Sequence, residues 1–335
     1  MALDLLSLSS LKIPGEERKH VVQRTRAPAA SVVVVSDYAS DGSTDWEEAR
    51  VLLRALAEQD FAEPFEVIVS EHAGSANDMP DDLHSICPNV RMVAFDQPSA
   101  YQLKNEGVRQ ARADIVAILD ADCVPGPDWL RTAVEALRSH PEAAVVSGGT
   151  AYPGRSLTER SLTIATRAYL DPGKFGSTRF ISNNNAAFRR SVYLKHPLPS
   201  RGGPFAARLQ SEALLRAGEQ LLFEARMRVS HHYGGWRMEA DVHRHMGYAV
   251  VITRLLDSEV PYAWLTRLKY ASIPLFFAAR VLTSISDCLR CARSYAVRWY
   301  ELPAVFGCAI ITRVLEVPGM VDAFRGREIK KTAYR

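Results

Sequence analysis

The sequence predicts an α/β fold, with a doubly wound, mostly parallel sheet and a C-terminal helical appendage. Apolar, β-branched segments alternate with segments of helical periodicity at intervals of about thirty residues, which is typical of right-handed βαβ units. From residue 236 onward the pattern is mostly helical, with aromatic residues and arginines interleaved. The chain therefore divides into an irregular lead-in, residues 1–30, an α/β domain, residues 31–235, and a helical region, residues 236–335.

The first half of the α/β domain supplies four predicted strands. Residues 31–36 contain a run of valines between two serines, as expected of a strand buried on both faces of a parallel sheet. Thr44 and Glu47 fit a capping box that opens a helix reaching Gln59. The other elements predicted here are a helix at residues 99–112 and strands at residues 65–70, 92–95 and 115–119.

The second half of the domain alternates less regularly. Residues 151–205 are rich in Gly, Pro, Ser and Asn, and we expect connecting and substrate-facing loops there, with one periodic segment near residues 158–170. Gly218 is a natural residue to follow a helix end. The remaining predictions are helices at residues 127–140, 206–217 and 236–256, and strands at residues 143–148 and 226–230.

Composition excludes several classes of protein. Of the 335 residues 47% are hydrophobic and 24% are charged, which excludes collagen-like and disordered chains, and five cysteines are too few for a disulfide scaffold. The N-terminus carries an early acid and no basic flank, unlike a secretory signal. No stretch of about 18 residues is free of charge, so no transmembrane helix is predicted. We expect a cytoplasmic protein with reduced thiols.

Charge is distributed unevenly along the chain. The formal net charge is +3, but residues 260–335 hold 12 Lys and Arg against 5 Asp and Glu, so the rest of the chain sums to −4. A basic end on an acidic body predicts contact with phosphates at that end. The apolar runs at residues 273–279 and 302–311 are too short to span a bilayer, and their aromatic residues predict helices lying at an anionic membrane surface, on its inner face. A helical subdomain packed on the core is the alternative.

Two aspartates provide the most informative motif. Asp120 and Asp122 follow a buried strand directly, and in a parallel sheet ligands collect outside the carboxyl ends of the strands. Carboxylate oxygens suit a hard divalent cation such as Mg²⁺ or Mn²⁺, which commonly also binds substrate phosphates. Such a cation would neutralise the charge on a nucleoside diphosphate leaving group. The alternative is a strand-end turn that caps the following helix.

The order of motifs around these aspartates resembles the family 2 glycosyltransferases, which have the GT-A fold and use nucleotide sugars. The resemblance extends over about residues 31–235, and its strength lies in order and spacing. It is carried by the opening strand, Val69 to Ser75, Lys104 to Gly107, Leu119 to Asp122, Ser182 to Arg190, Arg216 to Gly218 and Arg228 to His231.

The resemblance implies roles for the residues that bind the donor and the metal. Asp122 would be the direct metal ligand, and Asp120 would contact the ribose or the metal. Glu71 would hold the nucleoside, since a carboxylate accepts hydrogen bonds from a base or a ribose hydroxyl. Asp37 and Lys104 are further candidates for the donor side. His231 would complete the metal site, the alternative being a strand-end histidine that is satisfied by backbone groups.

On the acceptor side the resemblance is less complete. Asn184, Asn185 and Arg189 match the family's acceptor segment. An inverting transferase needs a carboxylate that takes the proton of the attacking hydroxyl. The family supplies it from a Glu-Asp pair, but Ala206 and Ala207 stand at that place, and the nearest acid is Glu212. We therefore name Glu212 as the candidate base, with a glutamate on the helix surface as the alternative.

Basic residues, among them Arg237 and Arg244, follow the last strand of the domain. The resemblance implies that they lie near donor or acceptor phosphates, and a solvated helix face is the alternative. Glu239 and His243 share one face of the same helix, as a zinc pair would, but no further residues have zinc spacing.

The function predicted from these residues is metal-dependent transfer of a sugar from a nucleotide diphosphate sugar to an acceptor hydroxyl, and the resemblance implies that the reaction inverts the sugar. The acceptor is expected to be a saccharide, a lipid-linked molecule or another hydroxyl compound. A relative that binds nucleotide or glycan without turnover is the alternative, because the usual base is missing. No nucleic-acid-binding module is recognisable in the sequence.

Overall fold

The protein is described by a computed structural model that covers residues 27–36, 46–76, 79–96, 99–154, 156–171, 174–200, 205–327 and 329. The predicted lead-in therefore lies almost entirely outside the described residues, as do Asp37 and the capping-box residue Thr44.

A mixed sheet of nine strands forms the centre of the described part of the chain. Its order is β3-β2-β1-β4-β8-β6-β9-β5, with β7 also paired to β9. The first four strands of that order run parallel, as do β6 and β9, whereas β8, β5 and β7 run antiparallel to their neighbours. The strands are β1 (Ala30–Val35), β2 (Phe65–His72), β3 (Val90–Phe95), β4 (Ile115–Asp120), β5 (Cys123–Pro125), β6 (Ala143–Ala151), β7 (Gly176–Ser177), β8 (Asn185–Arg189) and β9 (Gln220–His231).

Helices cover both faces of this sheet, so its strands are apolar on both sides. One face packs against α1, α3 and α5, where Leu52 and Trp129 are fully buried, and the other packs against α4, α7 and α8, where Leu103 and Leu214 are fully buried. The helices of this domain are α1 (Glu47–Ala57), α2 (Ala73–Ala76), α3 (Leu83–Ile86), α4 (Ala100–Gln110), α5 (Trp129–Ser139), α6 (Leu157–Arg167), α7 (Arg190–Lys195) and α8 (Ala206–Arg216).

The predicted loop region contains regular structure. Within residues 151–205, where the sequence predicts mainly loops, β8 lies in the middle of the sheet between β4 and β6, and α6 and α7 flank it. The prediction of loops is therefore wrong for residues 185–195. The strand is short and rich in alanine, so it has no long β-branched run by which sequence periodicity could identify it.

The helical region begins directly after β9. It comprises α9 (Gly235–Leu256), a 3₁₀ segment (Ala263–Ser272), α10 (Ile273–Cys291) and α11 (Leu302–Phe324). Helix α9 packs along α11, and α6 of the α/β domain packs between α10 and α11, where Leu162, Cys288 and Val305 are fully buried. The helical region thus shares a core with the sheet domain.

Two helices of this region bear on the expectation that the apolar runs are too short for a membrane. Helical residues 263–291 and 299–324 form stretches of 29 and 26 residues that are long and apolar enough to cross a bilayer, judged by length and composition. In an apolar 18-residue stretch of each, 28% and 44% of the residues are buried inside the protein. Core helices of proteins without a membrane span meet the same criterion, so this finding is weak evidence.

Candidate active site

A cavity of about 640 Å³ lies between the sheet and the helical region. The carboxyl ends of β4 and β9 supply Asp120, Asp122 and His231 to it, and the loop before β8 supplies Asn183 and Asn184. Helices α6, α9, α10 and α11 supply the opposite side, with Arg167, Glu239, His243, Arg254, Arg280 and Arg313. The helical region is therefore a wall of the cavity.

Asp120 is held at the end of β4 by a buried lysine. The register of β1 and β4 sets Asp120 beside Val35, and Lys104 reaches it from α4. The Lys104 ammonium lies 2.5 Å from Asp120 Oδ1 and donates a hydrogen bond to the Asn183 carbonyl at 2.8 Å. Lys104 is fully buried and Asp120 is 4% exposed, so the pair is shielded from solvent. The structure thus brings together two residues that the sequence predicts on the donor side.

Asp122 and His231 meet because β5 pairs with β9. The antiparallel ladder sets Cys123 opposite His231, and the backbone N–H of His232 donates to the Asp122 carbonyl at 3.0 Å. His231 Nε2 then lies 3.2 Å from Asp122 Oδ2, and both side chains are buried. The predicted metal ligands Asp120, Asp122 and His231 therefore face one cavity.

Burial changes the charge states of these groups. It raises the pKa of Asp120 to about 6, although the nearby Lys104 ammonium opposes the rise, and it raises the pKa of Asp122 to about 7. Burial also lowers the pKa of His231 to about 4, with Arg167 contributing. His231 is therefore a neutral imidazole at physiological pH, the form in which histidine binds metals.

The hydrogen bonds of His231 test whether a divalent cation fits. Its Nδ1 lies 2.8 Å from the His232 carbonyl, which can only accept, so Nδ1 carries the proton of the neutral ring. The lone pair of Nε2 is then directed at the Asp122 carboxylate. Two acceptors at 3.2 Å repel each other unless a proton or a cation lies between them. The donor atoms of Asp122, Cys123 and His231 all lie within 4.8 Å of one another, so the residues present fit a metal ion.

Cys123 is part of this group although the sequence analysis assigned it no role. Its sulfur lies 3.4 Å from Asp122 Oδ1, and burial holds the pKa of the thiol well above its usual range. A protonated thiol is a poor metal ligand. The remaining donors, carboxylate and imidazole, suit Mn²⁺ and Mg²⁺ better than a thiolate site would.

Glu71 lies at the end of β2, two strands away from β4. It is buried, and its Oε1 accepts a hydrogen bond from the backbone N–H of His72 at 2.8 Å. It does not line the cavity among the described residues. Asp37, another residue predicted on the donor side, lies outside the described residues.

The residues of the predicted acceptor segment lie in different places in the structure. Asn184 lines the cavity, where its Oδ1 accepts from Ser182. Asn185 is fully buried within the sheet: it accepts from Trp129 Nε1 at 2.8 Å and donates to the carbonyls of Gly149 and Met227.

Arg189 lies at the far end of β8, where it donates to the carbonyls of Leu137, His140 and Ala143. The structure does not bring Asn185 or Arg189 to the cavity, because their side chains satisfy buried backbone and indole groups instead.

Three further predicted residues also lie outside the cavity lining. Arg237 is exposed at the start of α9, and Arg244 pairs with Asp322 of α11 at 2.6 Å. Glu212, the predicted base, pairs with Arg208 on α8 at 3.1 Å and acts electrostatically on Arg254, which lies near the C-terminal end of α9. These side chains do not line the cavity because each one forms an ion pair elsewhere or faces solvent.

Several cavity residues have no strong sequence signal. Tyr152 packs edge-on against His231 with ring centroids 5.9 Å apart, and Arg167 lies over the Tyr152 ring at 5.7 Å. Tyr152 donates a short hydrogen bond to Glu239, whose other oxygen lies 3.3 Å from His243 Nε2. The sequence places Glu239 and His243 on one helix face, and the structure buries both residues, each 2% exposed.

Comparison with known proteins gives three findings. Residues 32–196 match the family model described as Glycosyl transferase family 2. The chain is 23% identical over 232 residues to a glucosyl-dolichyl phosphate glucuronosyltransferase of Haloferax volcanii, covering 62% of this chain and 71% of that protein. The fold is similar to that of the mannosyltransferase PcManGT from Pyrobaculum calidifontis in complex with GDP-Man and Mn²⁺, with a TM-score of 0.57 and 16% identity over 91% of this chain and 89% of that one. The predicted fold class is confirmed.

Proposed function

Because the chain is a glycosyltransferase of family 2, with the family's domain at residues 32–196, we propose that it moves a sugar from a nucleotide diphosphate sugar to a hydroxyl of a lipid-linked acceptor. The observation that carries the donor side is the buried Asp122–His231 pair at 3.2 Å, facing a cavity that also contains Asp120. The relative that is named for glucosyl-dolichyl phosphate supports a lipid-linked acceptor.

The donor is held through its diphosphate at the ends of β4 and β9. Asp122 and His231 would hold a divalent cation, with Asp120 beside them, kept in place by Lys104. When bound, the cation neutralises the negative charge that develops on the diphosphate as it leaves. The positive charge of Arg167 opposes the rise in the pKa of Asp122 and contributes to the lowered pKa of His231. Its charge therefore acts at the place where the cation would bind. The proposed ligands, which are carboxylate oxygens and an imidazole nitrogen, suit both Mg²⁺ and Mn²⁺.

The acceptor hydroxyl needs a base. Glu212 is the candidate from sequence, but Glu239 lines the cavity, and it contacts Tyr152, which packs on the metal ligand His231. Hydrogen bonds from His243 and Tyr152 keep the pKa of Glu239 below its usual range although burial opposes this, so Glu239 is ionised at neutral pH. In the reaction the hydroxyl oxygen bonds to the anomeric carbon, the bond to the diphosphate breaks, and Glu239 takes the hydroxyl proton. Inversion of the sugar follows from direct displacement.

Nucleotide binding tests the proposed role of Asp122 in holding the donor through a metal ion. Asp122→Asn removes a charged ligand without changing shape, so we expect Mn²⁺-dependent binding of UDP and GDP, followed by calorimetry, to weaken at least about tenfold. Asp128→Asn is the matched control, because Asp128 is an exposed carboxylate at the start of α5. Equal nucleotide binding by the wild type and Asp122→Asn would contradict the proposal.

Turnover separates the two candidate bases. Glu239→Gln keeps a group that accepts from Tyr152 but cannot take a proton, so we expect transfer to fall about 10² to 10⁴-fold with donor binding intact. Glu212→Gln should stay close to the wild type. The reverse result would assign the base to Glu212. A wild type that binds nucleotide yet transfers no sugar to any lipid-linked saccharide would favour a binding protein without turnover.

A further inference from the structure

We propose that the part of the cavity remote from the metal ligands binds the phosphate of the lipid-linked acceptor through three arginines of the helical region. These arginines are Arg254 of α9, Arg280 of α10 and Arg313 of α11, and we call them the arginine cradle. The inference rests on the proposed function, since it names where the charged group of that acceptor lies.

The cradle has more positive charge than its protein partners neutralise. Arg280 and Arg313 share one carboxylate, Glu316, at 2.6 and 2.5 Å, and Glu316 is fully buried. Arg254 donates to the backbone carbonyls of Val250 and Pro261 and forms no ion pair within the part of the chain that the structure describes. Three arginines and one glutamate leave two net positive charges. Buried charge without a counter-charge is costly, so an anionic ligand would stabilise this arrangement.

The charges persist at physiological pH. Burial lowers the pKa of Arg254 to about 10, with the neighbouring Arg208 and Arg280 contributing, and burial lowers the pKa of Arg313 to about 10. Both guanidinium groups therefore remain protonated near neutrality. Arg208 adds no net charge, because it pairs with Glu212 at 3.1 Å.

A donor at the cradle has unused hydrogen-bonding capacity. Arg313 is 6% exposed and lines the cavity, yet its Nε makes no hydrogen bond within the described residues. The buried His243 next to it faces Glu239 at 3.3 Å and Glu316 at 3.7 Å, so it is occupied by these carboxylates, and the unused donor belongs to Arg313. A phosphate oxygen is an acceptor that guanidinium N–H groups bind well, because their planar fork matches it.

The position of the cradle favours a ligand other than the donor diphosphate. His243 lies one helical turn beyond Glu239 on α9 and next to Glu316, so the cradle begins about 6 Å beyond the proposed base. Arg254 lies fifteen positions after Glu239, which is about 22 Å along the helix axis. The Arg254 guanidinium, however, reaches back along α9 to the Val250 carbonyl, and Arg280 acts on it electrostatically. An acceptor whose sugar hydroxyl lies at Glu239 would therefore place its phosphate among all three arginines of the cradle.

The walls beyond the cradle are apolar, which indicates a lipid rather than a free phosphate. Val250, Leu265 and Phe276 line this end of the cavity, with Arg254 over the Phe276 ring at 5.3 Å. At the opening, large hydrophobic side chains are exposed to solvent: Leu255, Leu256, Tyr262 and Trp264. Apolar surface of this kind next to a charged pocket fits an amphiphile with a phosphate head.

Binding of short prenyl compounds to the full chain tests the inference. Farnesyl phosphate, farnesol and inorganic phosphate are titrated separately by calorimetry. We expect farnesyl phosphate to bind at least about tenfold more tightly than either of the others, because it alone contacts both the cradle and the apolar wall. Arg254→Gln and Arg280→Gln should each weaken its binding about tenfold or more. Arg131→Gln, at a partly exposed arginine of α5, is the matched control and should not change it.

The outcomes separate this inference from the proposed function. Farnesyl phosphate binding that neither cradle substitution weakens would overturn the cradle, even if nucleotide binding depends on Asp122. Equal binding of farnesol and farnesyl phosphate would also overturn it. Nucleotide binding that is independent of Asp122, together with farnesyl phosphate binding that needs Arg254, would reject the proposed function and keep the cradle. Should Arg280→Gln fail to fold, Arg254→Gln decides, because its hydrogen bonds go to backbone carbonyls near the surface.

Discussion

At the scale of single residues, the site depends on charged groups that the fold removes from water. Asp120 and Asp122 are both buried, and the Lys104 ammonium pairs with Asp120. Burying two carboxylates is unfavourable by itself, since each loses its hydration. Under the proposed function, a divalent cation held by these residues would offset that cost, because it would supply the positive charge that the buried carboxylates lack.

The pH dependence of metal binding follows from these carboxylates. Their pKa values rise from the usual 3.8 to about 6 and about 7, so the folded metal-free protein retains protons that the unfolded chain has lost. The carboxylates therefore make the metal-free protein less stable as pH rises from about 4 to about 7, and His231, whose pKa is lowered to about 4, offsets part of this loss below about pH 6.5. Mn²⁺ competes with these protons, so we expect it to raise the melting temperature more at about pH 8 than at about pH 5. Asp122→Asn should remove most of the difference, and an equal rise at both pH values in the wild type would contradict this prediction.

At the scale of elements, close helix packing positions the charged groups of the cavity wall. Helix α9 carries Glu239, His243 and Arg254, and it crosses α11, which carries Arg313 and Glu316. The crossing is close because glycines lie at it: a Cβ on Gly247 would come 1.8 Å from the Glu316 carbonyl oxygen, and one on Gly319 would come 1.8 Å from that of Arg244. Two helices can approach this closely only where side chains are absent.

Gly247→Ala tests this crossing. The added methyl group meets backbone, which cannot rotate away, so we expect a loss of about 1–3 kcal/mol in the free energy of unfolding, and reduced transfer activity because the cavity wall shifts. Gly307→Ala is the matched control on α11, since a Cβ there meets nothing within 4 Å. Alanine favours a helix over glycine, so the control should be neutral or slightly stabilising. Chemical denaturation measures both, and equal effects would show that the crossing tolerates the methyl group.

At the scale of the whole molecule, the helical region joins the site to an apolar surface. The same helices that wall the cavity leave large hydrophobic side chains exposed along the 3₁₀ segment and α10, among them Trp264, Leu268, Leu275 and Leu282. Arg267 and Lys269 are exposed next to them. Exposed apolar groups with adjacent cations favour an anionic membrane surface, which is where a lipid-linked acceptor would be found.

Vesicle binding tests this surface. We expect the full chain to sediment with vesicles of phosphatidylcholine and phosphatidylglycerol more than with phosphatidylcholine alone. The double change Trp264→Ser and Leu282→Ser should weaken that partitioning at least about tenfold, because two apolar side chains lose their burial in the bilayer. Val51→Ser, at an exposed valine on α1, should leave it unchanged. Equal vesicle binding by the wild type and the double variant would contradict a membrane role for this surface.

The sequence by itself determined the parts of this protein that local patterns encode. Valine runs and helical periodicity indicated the strands through β4 and the helices α1 and α4, and the Asp120-Ala121-Asp122 motif indicated the edge of the sheet at which both carboxylates line the cavity. These predictions succeed because burial on both faces of a sheet leaves a continuous apolar run, and because a parallel sheet directs its carboxyl ends to one edge.

Only the tertiary structure decided which polar residues share the cavity. Asn185 and Arg189 lie in a segment that resembles an acceptor site, yet their contacts satisfy buried backbone and indole groups. Glu239 and Arg254, in contrast, come from the helical region, which looks like an appendage in the sequence. Long-range packing brings that region onto the sheet domain. Contacts between residues far apart in the chain produce no local periodicity, so the sequence pattern does not predict them.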